Sequence, residues 1–168
     1  MMVGTQMRAI LAINDDNVIG LDGDLPWAYN EMDMAWFVNH TRGCPVVMGS
    51  STWNSDMPTP LPNRTNFVLS SQDQSEFEGA IVCSSVAEIR NMFMEVGILE
   101  RAFVIGGAKT YKAFAPYITE WYVTRMKSCV VDAFGSTETQ FHLDYHLSQC
   151  TKTFELDHKE LTFQIWKR

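Results

Sequence analysis

Five short runs of apolar, β-prone residues do most to limit how this chain can fold: residues 9–13, 45–48, 66–69, 80–83 and 102–105. Runs of this kind belong to strands covered on both faces, the usual condition of parallel sheets. Segments with helical spacing follow several of them, so the order is broadly strand, helix, strand, helix. That rhythm predicts an α/β layer structure in which helices cover both faces of a largely parallel sheet. Toward the C terminus the pattern shifts. Residues 120–127, 151–156 and 161–167 read as three strands, with Asp157-His158-Lys159-Glu160 as a hairpin turn between the last two. These are expected to add antiparallel strands at the sheet edge. The expected fold is therefore a central mixed, mainly parallel β-sheet flanked by helices and ending in an antiparallel hairpin. Pro58, Pro60 and Pro62 stiffen residues 54–63, which read as a loop and not a linker because strands of the same sheet lie on both sides. With 168 residues, 46% of them hydrophobic, one domain covering 1–168 has enough apolar surface for its own core.

Charge and cysteines narrow the function classes. A formal net charge of -7, with only thirteen scattered Lys and Arg, offers no concentrated basic surface for nucleic acid, so any anionic ligand must be met by local groups. Cys44, Cys83, Cys129 and Cys150 are widely spaced without a CxxC pair, and residues 1–6 lack the charged-then-apolar order of a secretory signal. Reduced thiols in the cytoplasm are the expectation. No apolar run approaches the roughly 20 residues needed to span a bilayer, so no membrane partner is expected. An acidic surface on a single domain makes a monomer the default.

One carboxylate breaks the pattern around it. Asp33 lies one helical turn from Trp36 and Phe37 and shares their apolar face, shortly after the rigid Leu25-Pro26-Trp27. A buried acid without a basic partner is costly and its pKa is driven upward, which is how an acid placed to meet a ligand looks. The plainer alternative is a first-turn Asp serving as a helix cap or dipole partner.

Three strand ends offer backbone or hydroxyl donors, two of them beside glycines. In Phe103-Val104-Ile105-Gly106-Gly107-Ala108-Lys109-Thr110-Tyr111 a buried strand runs into a glycine pair and then a helix. Glycine there lets a ligand approach the backbone, and free N–H groups at the helix start favour phosphate, although tight packing alone also selects glycine. The spacing is neither a Walker A loop nor GxGxxG. Val46-Val47-Met48-Gly49-Ser50-Ser51-Thr52-Trp53 repeats the theme with hydroxyl residues, and Leu69-Ser70-Ser71-Gln72 ends a third strand. Three such ends suit a dinucleotide lying across the carboxyl edge of the sheet.

In order and approximate spacing, Ile10-Leu11-Ala12, Val18-Ile19-Gly20, Leu25-Pro26-Trp27, Asp33 with Trp36-Phe37, Val46-Val47-Met48-Gly49 with Thr52-Trp53, Leu61-Pro62-Asn63-Arg64, Leu69-Ser70-Ser71, Ile105-Gly106-Gly107 with Tyr111, and Tyr122-Val123-Thr124 resemble the dihydrofolate reductases. The resemblance runs from about Met7 to the C terminus and is weakest over residues 128–150. It implies hydride transfer from NADPH to dihydrofolate, with antifolate-type small molecules as further ligands. Asp33 matches the family's active-site acid and Thr124 the residue orienting it. Leu25 and Trp27 lie in the Gly20-to-Trp27 segment that matches a mobile loop closing over the nicotinamide. Ile10, Ala12, Phe37, Leu61 and Ile105 match positions around the substrate, and Arg64 matches the arginine that clamps its α-carboxylate. Toward the cofactor the resemblance assigns Ala12, Ile19, Gly20, Gly49, Ser50, Ser51, Thr52, Leu69, Ser70, Ser71 and Ile105, followed by Gly106, Gly107, Ala108, Lys109, Thr110 and Tyr111. A cis peptide is expected at Gly106-Gly107.

Departures from the family pattern concern the cofactor. Ser50, Ser51 and Ser84 stand where relatives often carry basic residues, Ala108 replaces a common third glycine, and Lys109 is the one cation retained nearby. Thr59 replaces a frequent arginine in a loop one residue longer than in common bacterial relatives. Discrimination against NADH is therefore expected to be weaker. The alternatives are a related pterin or pyrimidine reductase of the riboflavin-pathway type, against which Asp33 with Arg64 weighs, and a degenerate binding protein. His142 and His146 have i, i+4 spacing, but no helix is clearly predicted there and no metal is expected. His40, His158, Asp15 and Asp16 read as solvated surface groups.

Overall fold

A computed structural model describes residues 6–127 and 137–168. Cys129 and the first five residues lie outside the described part. The strands are β1 (Met7–Asn14), β2 (Val18–Leu21), β3 (Pro45–Gly49), β4 (Thr65–Leu69), β5 (Ile81–Cys83), β6 (Phe103–Gly106), β7 (Ile118–Met126), β8 (Glu138–Gln140), β9 (Thr151–Asp157) and β10 (Leu161–Lys167). The α-helices are α1 (Glu31–Thr41), α2 (Ser50–Trp53), α3 (Val86–Glu95), α4 (Ala108–Phe114) and α5 (Leu143–Leu147). Eight strands form one sheet in the order β5-β4-β3-β6-β1-β7-β10-β9. The pairs from β5 through β7 are parallel, and β7-β10 and β10-β9 are antiparallel. The mixed, mainly parallel sheet with a C-terminal antiparallel hairpin is thus as expected.

Two expectations need correction. Residues 120–127 do not belong to an antiparallel edge: β7 lies between β1 and β10 and runs parallel to β1, with Ala12 beside Thr124. Its Trp121, Tyr122, Val123 and Thr124 are all buried, so both faces need cover and both edges find a neighbour. Only β9 is the free edge at this side, and its residues are exposed throughout. The sequence reading also missed β2 and β8, which pair with each other in a separate two-stranded sheet beyond the carboxyl end of β1.

The sheet divides the core into two layers. On one face Met7, Ala9, Leu11 and Ile13 of β1 join Ile89 and Phe93 of α3, Phe114 of α4 and Leu143 and Leu147 of α5. On the other, Ile10, Val46, Met48, Phe103, Ile105 and Tyr122 pack with Trp36 and Phe37 of α1 and with Trp53, Met57 and Leu61. The alternation of Ile10 with its neighbours follows from the two-residue period of a strand. Trp36 also stacks on Phe163, with ring centroids 4.4 Å apart and planes 15° apart.

Two histidines are packed rather than solvated. His40, expected at the surface, meets Trp36 edge-on at 4.2 Å and Tyr122 at 4.9 Å. Burial, reinforced by the nearby Arg8 charge, lowers its pKa. A half-buried imidazole is favoured there because its ring covers apolar surface as a smaller aromatic would. His146 lies on α5, a helix the sequence did not announce, and stacks nearly parallel on Phe141 at 5.0 Å. His158 and the Asp15-Asp16 pair are exposed. Among the described residues no group of three or more His, Cys, Asp or Glu is arranged to hold a metal ion. No described helix is long and apolar enough to cross a membrane.

Candidate active site

Helix α1 positions the acid. Its start is capped by Asn30, whose side chain accepts the Asp33 backbone N–H at 3.0 Å, so the cap does not depend on the Asp33 carboxylate. That carboxylate instead turns to the sheet and accepts a hydrogen bond from the Thr124 hydroxyl at 2.7 Å. Thr124 is 1% exposed and sits directly beside Ala12. Burial raises the Asp33 pKa above the usual range, and the Thr124 bond pulls it partly back. With the Thr124 hydroxyl as its one side-chain partner among the described residues, the carboxyl keeps acceptor capacity for something else.

A stripe leads from this acid to an arginine. Asp33, Phe37 and Thr41 follow one another at i, i+4 and i+8, hence on one face of α1. Thr41 is completely buried; its hydroxyl donates to the Phe37 carbonyl at 2.7 Å and accepts from Arg64 Nη1 at 3.1 Å. Arg64 Nε donates to the Pro62 carbonyl at 2.9 Å, and its guanidinium carbon lies 5.9 Å from the centre of the Phe37 ring. At 1.5 Å of rise per residue, the eight residues from Asp33 to Thr41 separate the acid from the arginine's anchor by about 12 Å. The loop carrying Arg64 is itself fixed by Asn66, which is 3% exposed: its side chain accepts the Leu61 N–H at 2.9 Å and donates to the carbonyls of Leu61 at 3.0 Å and Arg64 at 3.1 Å. Thr41 and Asn66 were not singled out from sequence. The i+4 continuation from Asp33 through Phe37 was the available signal for Thr41.

Ile10, Ile105 and Leu61 are buried on the α1 side of the sheet, and Tyr111, reaching through from α4, donates its hydroxyl to the Ile10 carbonyl at 2.8 Å. Ile19 packs instead with the opposite core layer. Trp27 lies half-buried against the small cluster of Met126, Leu161 and Phe163, and its indole N–H is buried without a hydrogen-bond partner among the described residues. Leu25 is 54% exposed, on the outside of the same segment.

The remaining residues gather at the carboxyl edge of the sheet. Met48 pairs with Gly106 and Gly49 with Leu69, so the glycines and Leu69-Ser70-Ser71 stand on adjacent strand ends. The Gly106-Gly107 peptide is cis and Gly106 has φ 131°, a backbone conformation open to glycine. A Cβ built on Gly106 would come within 3.1 Å of the Thr52 hydroxyl, and one on Gly49 within 2.6 Å of the Thr110 hydroxyl. Close packing therefore accounts for Gly49. The crevice here follows the reversal in strand order, because the chain passes from β1 to β3 and inserts β6 between them later. Such a switch point is where open α/β sheets take ligands. Ser50, Ser51, Ala108 and Lys109 border this crevice on the first turns of α2 and α4.

Comparison with known proteins agrees with this geometry. The family model for dihydrofolate reductase matches residues 6–168. The dihydrofolate reductase of Bacillus subtilis is 38% identical over 117 residues, 70% of this chain and 67% of that protein. That of Haemophilus influenzae is 37% identical over 119 residues, 71% of each chain, and that of Mycobacterium leprae 40% identical over 126 residues, 73% of each. A family match over almost the whole chain, with Asp33 at one end of the α1 stripe and Arg64 bonded to Thr41 at the other, means that the chain belongs to the dihydrofolate reductase family.

Proposed function

We propose that this chain reduces dihydrofolate to tetrahydrofolate with NADPH as the hydride donor, supporting one-carbon metabolism and thymidylate synthesis. The spacing along α1 between Asp33 and Thr41, the residue that anchors Arg64, carries the reading. A carboxylate with two acceptor oxygens suits the paired donors on the amidine-like edge of a pterin, and a guanidinium fork about 12 Å away suits a carboxylate at the far end of the same ligand. Phe37, between them, offers its ring to the aromatic middle.

NADPH, when bound, supplies the hydride. Ile10, Ala12 and Ile105 would line the meeting place of the two rings, and Thr124 would hold Asp33 in register. Asp33, with its raised pKa, would favour the protonated substrate, through a water near the Trp27 N–H and not by direct contact. The backbone and hydroxyl groups at the ends of β3, β4 and β6 suit a dinucleotide's phosphates. Antifolate-type molecules would use the Asp33 end of the cleft. A single cytoplasmic domain acting as a monomer completes the reading.

The test is NADPH oxidation followed by absorbance, with and without dihydrofolate. Oxidation that requires dihydrofolate supports the assignment. Reduction of a riboflavin-pathway pyrimidine in its place, or binding of both ligands without turnover, would replace it with one of the alternatives above.

A further inference from the structure

Helix α1 ends in a turn that is fastened to the loop carrying Arg64. The Thr41 hydroxyl accepts from Arg64 Nη1 at 3.1 Å, and two residues further on the Gly43 N–H donates to the Asn63 carbonyl at 2.9 Å. Arg42 stands between these two attachments. It caps the C-terminal end of α1, its backbone N–H donating to the Val38 carbonyl at 2.9 Å, and it is exposed. Arg42 and Arg64 are thereby brought to one corner of the fold, at the far end of the α1 stripe from Asp33.

No carboxylate answers this pair. The ion pairs among the described residues are Arg125–Asp144, Lys127–Asp157, Lys152–Glu155 and Lys167–Glu120, and none of them takes in Arg42 or Arg64. Burial, and after it the Arg42 charge, lowers the Arg64 pKa, so the two guanidiniums are close enough to repel each other. Further positive charge lies behind them: Arg101 Nη2 donates to the Gly43 carbonyl at 3.0 Å, and Arg8 Nη2 to the Arg101 carbonyl at 2.7 Å. In a chain with 20 Asp and Glu against 13 Lys and Arg, a like-charged pair left without an acid favours a ligand that brings more than one negative charge. Arg64 alone does not meet such a ligand. Its Nε donates to the Pro62 carbonyl and its Nη1 to Thr41, and the N–H groups left on Nη1 and Nη2 form one fork, enough for a single carboxylate.

We infer that Arg42 is a second substrate-binding arginine: it meets the γ-carboxylate of the dihydrofolate glutamate while Arg64 holds the α-carboxylate. The inference rests on the reading that dihydrofolate lies along α1 with its α-carboxylate on Arg64. The two carboxylates belong to one glutamate and are joined by a short methylene arm, so they arrive together at the corner where the two guanidiniums stand. Because Arg42 is exposed, its contribution is that of a solvated ion pair, a few-fold in affinity. It acts on capture of the charged end of the substrate. The reacting atoms belong to the Asp33 end, about 12 Å away along the helix.

The experiment titrates the full chain and its Arg42→Ala and Arg42→Lys variants with dihydrofolate and with the γ-monoamide of dihydrofolate, in which the γ-carboxylate alone is neutralised. Binding is read from the quenching of tryptophan fluorescence. The unaltered protein should bind the amide about threefold more weakly than dihydrofolate, the scale of one exposed ion pair. Arg42→Ala should lose that factor for dihydrofolate and nothing for the amide, so the preference disappears; in turnover the loss should fall on KM and not on kcat. Arg42→Lys should keep part of the preference, and added salt should erode it in the unaltered protein. Equal binding of dihydrofolate and amide by the unaltered protein overturns the inference. So does an Arg42→Ala variant that weakens both ligands alike, the outcome of a merely structural role. Because the readout is binding, a protein that shows the preference but does not oxidise NADPH with dihydrofolate would defeat the proposed function and leave the role of Arg42 standing.

Discussion

The Thr124 hydroxyl donates to Asp33 Oδ1 at 2.7 Å and so joins the first turn of α1 to the middle of the sheet. The bond orients the acid but does not neutralise it. Burial still leaves the Asp33 pKa raised. An acid whose folded pKa lies above its unfolded value favours the fold most below the unfolded value, and that advantage is lost as pH rises through the folded one. The ionised carboxylate is therefore a burden on stability, carried for function.

Asp33→Asn should separate the two roles. Dihydrofolate reduction should fall by about 100-fold or more, the range of acid–base assistance. The melting midpoint should rise, because a neutral amide lacks the desolvation cost of the buried carboxylate. Activity of the unaltered protein should decline as pH rises past the value governing substrate protonation. Near-normal turnover in the variant, or a lower midpoint, would contradict this account.

Arg64 and Thr41 form the second pair, with the buried hydroxyl holding one guanidinium nitrogen at 3.1 Å. Truncating one member of a desolvated charge pair costs roughly 2–5 kcal/mol, so Arg64→Ala should weaken dihydrofolate binding by about 30-fold or more. Thr41→Val keeps the shape but removes the hydroxyl. It should weaken dihydrofolate binding by about tenfold, while Thr41→Ser restores it. NADPH affinity should barely change in either case. Equal losses for both ligands in binding titrations would rule out a carboxylate clamp.

The parallel core strands were legible because an apolar run tells of burial on both faces wherever it occurs. The small sheet was not: β2 has four residues and β8 three, each with one strand partner, too short for a period to show. The position of β7 was misjudged because its place among the last strands suggested an edge, while its four consecutive buried residues required two neighbours. In the site, Asp33 stood out as a carboxylate on an apolar face. Arg64 was legible only through its family register, since nothing local separates a clamp from a surface arginine. Thr41 drew no reading of its own, and Asn66 read as a strand residue; each matters through a distant partner that composition cannot name. The glycines stayed ambiguous because packing and ligand approach select the same residue.

Gly49 resolves that ambiguity experimentally. Its φ of -87° suits any residue, so the obstacle to a side chain is steric alone: a Cβ would stand 2.6 Å from the Thr110 hydroxyl. Gly49→Ala should destabilise the protein by about 1–3 kcal/mol, as overpacking does. Thr110→Ala removes the clashing oxygen, so the double variant should recover most of that loss in chemical denaturation. If Gly49→Ala alone is as stable as the starting protein, the close approach of β3 to α4 is not what selects glycine here.

The serines at the ends of β3 and β5 bear on cofactor choice. Ser50 opens α2 and Ser84 follows β5, and hydroxyls provide neutral donors roughly half as strong as the charge-assisted bonds of Arg or Lys to a phosphate. The surroundings do not favour an anion at Ser84, because the Glu88 carboxylate already accepts its backbone N–H at 3.1 Å. Two other cations are engaged away from the serines: Arg101 donates to the Gly43 carbonyl at 3.0 Å, and the Arg90 guanidinium lies 3.7 Å over the Tyr117 ring. NADPH should still be preferred, with Lys109 and Ser70 assisting, but by a narrower ratio over NADH than in relatives carrying the basic residues. Ser50→Arg should widen the ratio by raising kcat/KM for NADPH while leaving NADH nearly unchanged, and the gain should shrink as salt screens the new charge. Parallel assays with a relative that carries the basic residues decide the matter. Rejection of NADH as strong as that relative's, or equal improvement with both cofactors in Ser50→Arg, would show that the phosphate is held through groups other than these serines.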